Sequence, residues 1–184
     1  MRQTFLQFLQ APGRDTYLAV RGALIASPHY APYSHDLEDI EHAAEKGAFD
    51  EARQLFTDAV ENLLLSPRAH LLMAFVADKS GDAEAADMER QLASICCSGI
   101  LATGDGSRAQ PYVVARTSDA YDMLQYLDRP PTGQALAQIG NRRIDVFTCE
   151  DGGELCFDIT EVFDRMLVDM HIDGQAFRAP HDEA

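Results

Sequence analysis

The apolar positions recur at helical spacing through the first half of the chain. Tyr17, Leu18, Val20, Leu24 and Ile25 fall on such a pattern between two proline-containing segments, which predicts a first helix over 14–26. The connector that follows, 27–33, contains two prolines and two tyrosines. We expect it to be extended, with its rings packed on the structure beneath.

The next segment contains an internal repeat. Gly47, Ala52 and Ala59 return as Gly81, Ala86 and Ala93, each at an offset of 34 residues. This is the period of tetratricopeptide repeats, in which two helices are joined by a tight turn. A glycine supplies the backbone freedom of the turn, and the small alanines let the paired helices approach closely.

The repeat predicts two helical hairpins, with helices at 34–46, 49–64, 67–79 and 83–98. The large aromatic residues that such repeats usually carry on the first helix are missing. In tetratricopeptide arrays the first helix of each hairpin lines a concave groove. By repeat position, the groove would carry Ser34, Leu37, Glu41, Ala44, Arg68, Leu71, Phe75 and Asp78.

The second half changes to strand-like runs separated by turn residues. A strand at 111–116 and a helix at 119–127 precede three runs, 134–139, 142–150 and 154–159, which predict a three-stranded antiparallel meander. A last helix should begin at Thr160 and reach about Met170. The predicted class is α+β, with tetratricopeptide-like hairpins at 1–98, a small antiparallel sheet with short helices at 99–172, and a flexible tail at 173–184.

Two-residue turns would fix the sheet register. Turns at 140–141 and 152–153 predict Ala137 opposite Ile144, with Val146 opposite Ile159 and Thr148 opposite Phe157 on one apolar face. The same register predicts Cys149 opposite Cys156.

The net charge of the chain disfavours some classes of partner. A formal net charge of −15 repels phosphate backbones and anionic lipids, so we expect neither nucleic acid nor membrane as a partner. No apolar run approaches the length of a membrane span, and glutamines interrupt the apolar start of the chain, which favours a cytoplasmic protein. The four cysteines are expected to be reduced thiols.

Candidate chemistry is sparse. The loop Gly104, Asp105, Gly106 and Ser107 could offer backbone N–H groups to an anion, or it could be a turn closed by a local Asp105 hydrogen bond. His35, Asp39 and His42 share a predicted helix face, which is either a solvated surface or a metal site. We assign no catalytic residue, metal ligand or cofactor.

The order of parts resembles DUF4919, a family of uncharacterised bacterial proteins. The matching segments are Arg21 with 30–33, the turns at Gly47 and Gly81, 98–107, 112–114, 121–124 and 155–159. The resemblance implies an architecture and brings no activity, substrate or cofactor.

Two functions remain open. The first is a non-catalytic interaction or scaffold module that binds a protein or peptide in the helical groove. The alternative is a small enzyme or ligand sensor with its site at 104–107, between the two halves.

Overall fold

The structure, a computed structural model, describes residues 1–172 and the side chains as far as Val168. It is an α+β fold whose elements follow one another in the order α1 Arg2–Gln10, α2 Arg14–Ile25, α3 Asp36–Glu45, α4 Phe49–Leu63, α5 Pro67–Lys79, α6 Ala83–Leu101, β1 Tyr112–Val113, α7 Thr117–Tyr126, β2 Pro131–Ile139, β3 Arg142–Cys149, β4 Glu154–Asp158 and α8 Thr160–Ile172. The predicted tail at 173–184 lies outside the residues described.

The two predicted hairpins are present as α3–α4 and α5–α6. Gly47 and Gly81 occupy their turns with φ values of 74° and 81°. The turn hydrogen bonds also repeat, because the N–H of Ala48 donates to Ala43 O and the N–H of Asp82 donates to Ala77 O. This pattern is the glycine-terminated helix end of a Schellman motif. Whether the hairpins belong to the tetratricopeptide class remains a prediction.

The helix α1 was not predicted. Its Phe8 is completely buried, and its ring lies 5.7 Å from that of Tyr17 in an edge-to-face arrangement. The glutamines that interrupt the apolar run, Gln3, Gln7 and Gln10, are all exposed, whereas Phe8 faces the core. The start of the chain is therefore a short amphipathic helix that contributes to the core.

The sheet has four strands in the order β1-β4-β3-β2. The predicted meander is present as β2, β3 and β4, but β1 pairs with β4 in parallel, so the sheet is mixed and not purely antiparallel. The first hairpin has the predicted register, with Ala137 opposite Ile144.

The predicted register of the second hairpin is wrong. Val146 lies opposite Cys156, and Thr148 lies opposite Glu154. The reason is a three-residue turn at 150–152, closed by the N–H of Cys149 donating to Gly153 O at 2.8 Å. Because this register is shifted by an odd number of residues, side chains predicted on one face lie on two.

The two cysteines of the sheet are consequently separated. Cys149 joins the main core with Phe147 and Phe157, whereas Cys156 lies in a small second cluster with Val146. All four cysteines are free and buried.

The main core joins the two halves of the chain. It combines buried residues of α1, α2 and α6 with those of α7, the sheet and α8. The helix α6 continues to Leu101, past the predicted boundary at residue 98. A separate core, distinct from the small cluster around Cys156, lies inside the hairpins and includes Leu37, Ile40 and Met73.

Three side chains of the helical half bond to three successive carbonyl groups of the other half. Tyr17 donates to Val113 O, Arg21 donates to Val114 O at 2.8 Å, and Tyr30 donates to Ala115 O at 2.6 Å. Arg21 also forms an ion pair with Glu161 of α8. Because these bonds are largely buried, they fix the position of α7, which follows directly.

Candidate cleft between the hairpins and helix α7

An open cleft of about 490 Å³ lies where α7 meets the helical hairpins. Its walls come from α3, α5 and α7, and Cys97 of α6 is also part of the lining. The residues around it are Glu41, Pro67, Arg68, Leu71, Cys97, Tyr121, Asp122, Gln125 and Tyr126. We refer to this feature as the α7 cleft.

The start of α5 is fixed by its sequence. Ser66 caps the helix by accepting a hydrogen bond from the N–H of Ala69, and Pro67 occupies the first turn, where its missing N–H costs nothing. Arg68 follows immediately and forms an ion pair with Glu41 of α3. This pair bridges the first helices of the two hairpins.

The start of α7 places a carboxylate beside that pair. Asp119 is fully buried and accepts backbone N–H bonds from Ala115 and Arg116 at 3.1 and 2.8 Å. Asp122 lies one turn further along the helix and faces the cleft. Its Oδ2 atom is buried and has no hydrogen-bond partner among the described residues.

Burial raises the pKa of both carboxyl groups. The pKa of Asp119 rises to about 7 through burial and the neighbouring Asp122. The pKa of Asp122 rises to about 6, chiefly through burial, although the Arg68 guanidinium and backbone N–H act against the rise. At neutral pH Asp122 is therefore predominantly ionised and is a partly desolvated acceptor for a cation.

The apolar wall is formed by side chains that are unusually exposed. Leu71, Tyr121 and Tyr126 are 53%, 49% and 51% exposed. Tyr121 is held rigidly, because its ring packs edge-on against Phe147 at 5.1 Å and its hydroxyl donates to Gln134 at 2.6 Å. Large exposed apolar side chains grouped in one concave place are typical of a binding surface.

The cleft offers no obvious nucleophile. Burial, together with Asp122 and Asp119, raises the pKa of the Cys97 thiol to about 12. A thiolate would therefore be rare at neutral pH, and thiols react as thiolates. The arrangement is suited to binding a group with an apolar part and a positive charge.

The predicted groove residues are only partly brought together. Glu41, Arg68 and Leu71 line the α7 cleft, whereas Leu37 is 5% exposed and packs in the hairpin core. Ala44 is also buried there. The reason is that α3 turns its Leu37 and Ala44 face toward α4 and α5.

The remaining predicted positions lie outside the lining. Phe75 is on the exposed face of α5, where its ring lies 6.5 Å from that of Phe49 and Lys79 Nζ lies over it at 5.4 Å. Asp78 pairs with Arg90 of α6. Ser34 donates to Asp36 and accepts from Asn62.

The α7 side of the cleft was missed from the sequence. The helical spacing places Tyr121, Leu124 and Leu127 on one face of this helix, whereas the buried residues of α7 are Asp119, Ala120, Met123 and Leu124. Tyr121 and Asp122 lie between two buried pairs, 119–120 and 123–124, so they fall on the outer side of the helix. No local pattern places α7 beside α5.

The glycine-rich loop is occupied with its own hydrogen bonds. The N–H groups of Asp105 and Gly106 donate to Gln110 O, and the N–H of Ser107 donates to Asp105 Oδ1, which confirms the predicted local Asp105 bond. At Gly104 a Cβ atom would lie 2.3 Å from Gln110 O. The glycine is therefore required for close backbone packing.

Metal-binding clusters and membrane-spanning helices are both absent from the described part of the chain. Within it, no group of three or more His, Cys, Asp or Glu side chains is arranged to hold a metal ion. His35, which directly precedes α3, pairs with Glu38 of the first turn of that helix, and both side chains are exposed. None of the described helices combines the length and the hydropathy needed to cross a membrane.

Comparison with known proteins gives no match: no protein-family model, curated protein or solved structure is similar to this chain. Membership in DUF4919 therefore remains a prediction.

Proposed function

We propose that the chain is a non-catalytic interaction module that binds a short peptide in the α7 cleft. The observation that supports this most is the combination of three exposed apolar side chains with the carboxylate of Asp122, whose Oδ2 lacks a partner among the described residues. The peptide would bring one apolar side chain and one lysine or arginine.

The apolar part of the peptide would pack against Leu71, Tyr121 and Tyr126. These side chains already lie on rigid helices, and Tyr121 is held at both its ring and its hydroxyl. Binding therefore costs little ordering of the protein side, which favours affinity from a small contact area. Tyrosines are common anchors at such surfaces because they combine apolar area with a polar group.

The charges of the cleft select the other part of the peptide. Arg68 pairs with Glu41 and also stabilises the Asp122 carboxylate, so these three side chains together carry one net negative charge when all are ionised. The net charge of −15 would also attract a basic segment and speed its association.

The alternative site at 104–107 has less support. Three of its backbone N–H groups donate within the loop, and an anion nest needs such groups to be available to the ligand. An enzyme or sensor acting at this loop would have to open it first.

Selection from a displayed random peptide library tests the proposal. Wild-type chain should enrich sequences that combine an apolar residue with lysine or arginine. Leu71→Glu should weaken the selected peptides by about tenfold or more, because it places a charge in the apolar contact.

Met88→Glu is the matched control. Met88 is 56% exposed on α6 and does not line the α7 cleft, so this variant should bind as wild type does. A library without an enriched sequence, or peptides that bind Leu71→Glu as tightly as wild type, would contradict the proposal.

A further inference from the structure

The strand β2 forms one edge of the sheet, with β3 as its neighbour. Within residues 1–172, no strand pairs with its outer side. Arg143 accepts a backbone bond from Ile159, and Cys149 donates one to Gly153, so the odd-numbered residues of β3 use their backbone groups on the far side. The even-numbered residues of β3 must then bond to β2.

This alternation identifies the free backbone groups of the edge. The β2 partners of the even-numbered β3 residues are the odd-numbered ones, such as Ala135 opposite Val146 and Ala137 opposite Ile144. Gln134, Leu136 and Gln138 therefore direct their N–H and C=O groups away from the sheet. An unpaired row of this kind is a template for another strand.

The edge lacks the usual protection against pairing. Strand edges are commonly blocked by charged side chains, prolines or bulges. Here Pro131 and the register shift before Gly133 affect only the beginning of β2. From residue 134 to 139 the strand carries no charged side chain, although the whole chain has a net charge of −15. Leu136 is 58% exposed.

The unprotected part of β2 is also palindromic. It reads Gln134-Ala135-Leu136-Ala137-Gln138, with Leu136 at its centre. If two copies meet antiparallel about a two-fold axis through Leu136, each glutamine lies opposite a glutamine, each alanine opposite an alanine, and the leucines face one another. Every outward N–H and C=O group of the three residues then finds a partner. Such self-complementarity is the requirement of a two-fold interface.

We infer that the occupant of this edge is a second copy of the chain, paired through β2 to make one continuous sheet across a homodimer. Two copies of a strongly acidic chain repel one another. Because residues 134–139 carry no charged side chain, pairing through β2 brings no further like charges together. None of residues 134–139 lines the α7 cleft, and the pairing uses backbone groups of β2, whereas Tyr121 of the cleft bonds to the Gln134 side chain. The inference therefore does not depend on the proposed peptide binding.

Two variants of the full-length chain that carry opposite charges at position 136, on the two-fold axis, test the inference. Sedimentation equilibrium should give the mass of a dimer for wild type and of a monomer for Leu136→Lys and Leu136→Glu separately, because each places like charges opposite one another. Mixing the two variants should restore the dimer. Leu6→Lys, at a similarly exposed leucine of α1, should remain dimeric.

A second variant covers the case in which a charge at position 136 disturbs folding. Directly opposed residues that exchange both backbone bonds have Cα atoms about 5.5 Å apart, within the range that a disulfide spans. Leu136→Cys should therefore form a linked dimer under mild oxidation, and Leu6→Cys should not. A monomeric wild type, a dimeric Leu136→Lys, a mixture that stays monomeric, or the absence of the Leu136→Cys link would each overturn the inference.

Discussion

Two carboxyl groups on one face of α7 connect the stability of the protein with its proposed binding. Asp119 and Asp122 are one helical turn apart. Asp122 raises the pKa of Asp119, and both carboxyl groups raise the pKa of the Cys97 thiol. Glu41, Arg68 and Leu71 could be chosen from the sequence because the repeat places them on the first helices. Asp122 could not, because its role depends on contact between α7 and α5, which are far apart in the chain.

The charge of Asp122 should make peptide binding depend on pH. With a pKa of about 6, the carboxylate is lost as pH falls through that value. A selected basic peptide should therefore bind more weakly at pH 5 than at pH 8, as measured by titration calorimetry. Asp122→Asn should weaken binding at pH 8 and remove most of this difference.

Glu45→Gln provides the control for charge. Glu45 is an exposed residue of α3 outside the cleft lining, and its loss changes the net charge by the same amount. Equal effects of the two substitutions would show that only the mean field of the protein matters.

Asp119 should make the folded state less stable as pH rises. Its pKa is about 7 in the folded protein and near 4 in an unfolded chain, so between these values the folded state retains a proton that the unfolded state has lost. The free energy of unfolding should fall from pH 4 to pH 7 and then level off, by up to a few kcal/mol. In urea denaturation, Asp119→Asn should have a flatter profile over this range; an unchanged slope would contradict the assignment.

The two hairpin turns show which elements the sequence determines. The helix bounds at Gly47 and Gly81 follow from local residues, because a glycine at the end of an amphipathic run specifies the turn. The sheet register did not follow, because the same Gly152-Gly153 pair is compatible with two-residue and three-residue turns. The helix α1 and the parallel pairing of β1 were missed for a related reason: short elements are stabilised by distant contacts, as Phe8 is by Tyr17.

Because the two turns have the same geometry, replacing either glycine by alanine should destabilise the protein by a similar amount. Gly47→Ala and Gly81→Ala should each reduce the free energy of unfolding by about 1 kcal/mol, because both positions have positive φ, which L side chains adopt at a cost. No atom lies within 4 Å of an added Cβ at either position, so a steric clash adds nothing to this cost. Gly22→Ala, which has equal space but helical φ, should be neutral or stabilising by up to about 1 kcal/mol. Urea denaturation measures all three, and a turn variant as stable as Gly22→Ala would contradict the repeated motif.

At the scale of the whole molecule, the two halves share one core. The carbonyl groups of residues 113, 114 and 115 accept hydrogen bonds from Tyr17, Arg21 and Tyr30, in that order. The α+β class was predictable because the change from helical to alternating patterns is visible in the sequence. The joining of the halves was not, because buried tyrosine and arginine side chains can have partners anywhere in the chain.

Separating the halves should therefore unfold both. A fragment of residues 1–102, which keeps α6 intact, would expose the Tyr17 and Tyr30 side of the core and lose their buried acceptors. We expect it to lack a cooperative thermal transition by circular dichroism, whereas the full chain should have one. A fragment that melts cooperatively near the melting temperature of the full chain would show that the helical half is independent.

The most direct test of the proposed binding site is nuclear magnetic resonance mapping of the labelled full-length chain with a selected basic peptide. The account predicts that the largest shift changes cluster at Leu71, Tyr121, Gln125 and Tyr126. Changes concentrated at residues 104–107, with the α7 cleft unaffected, would contradict it.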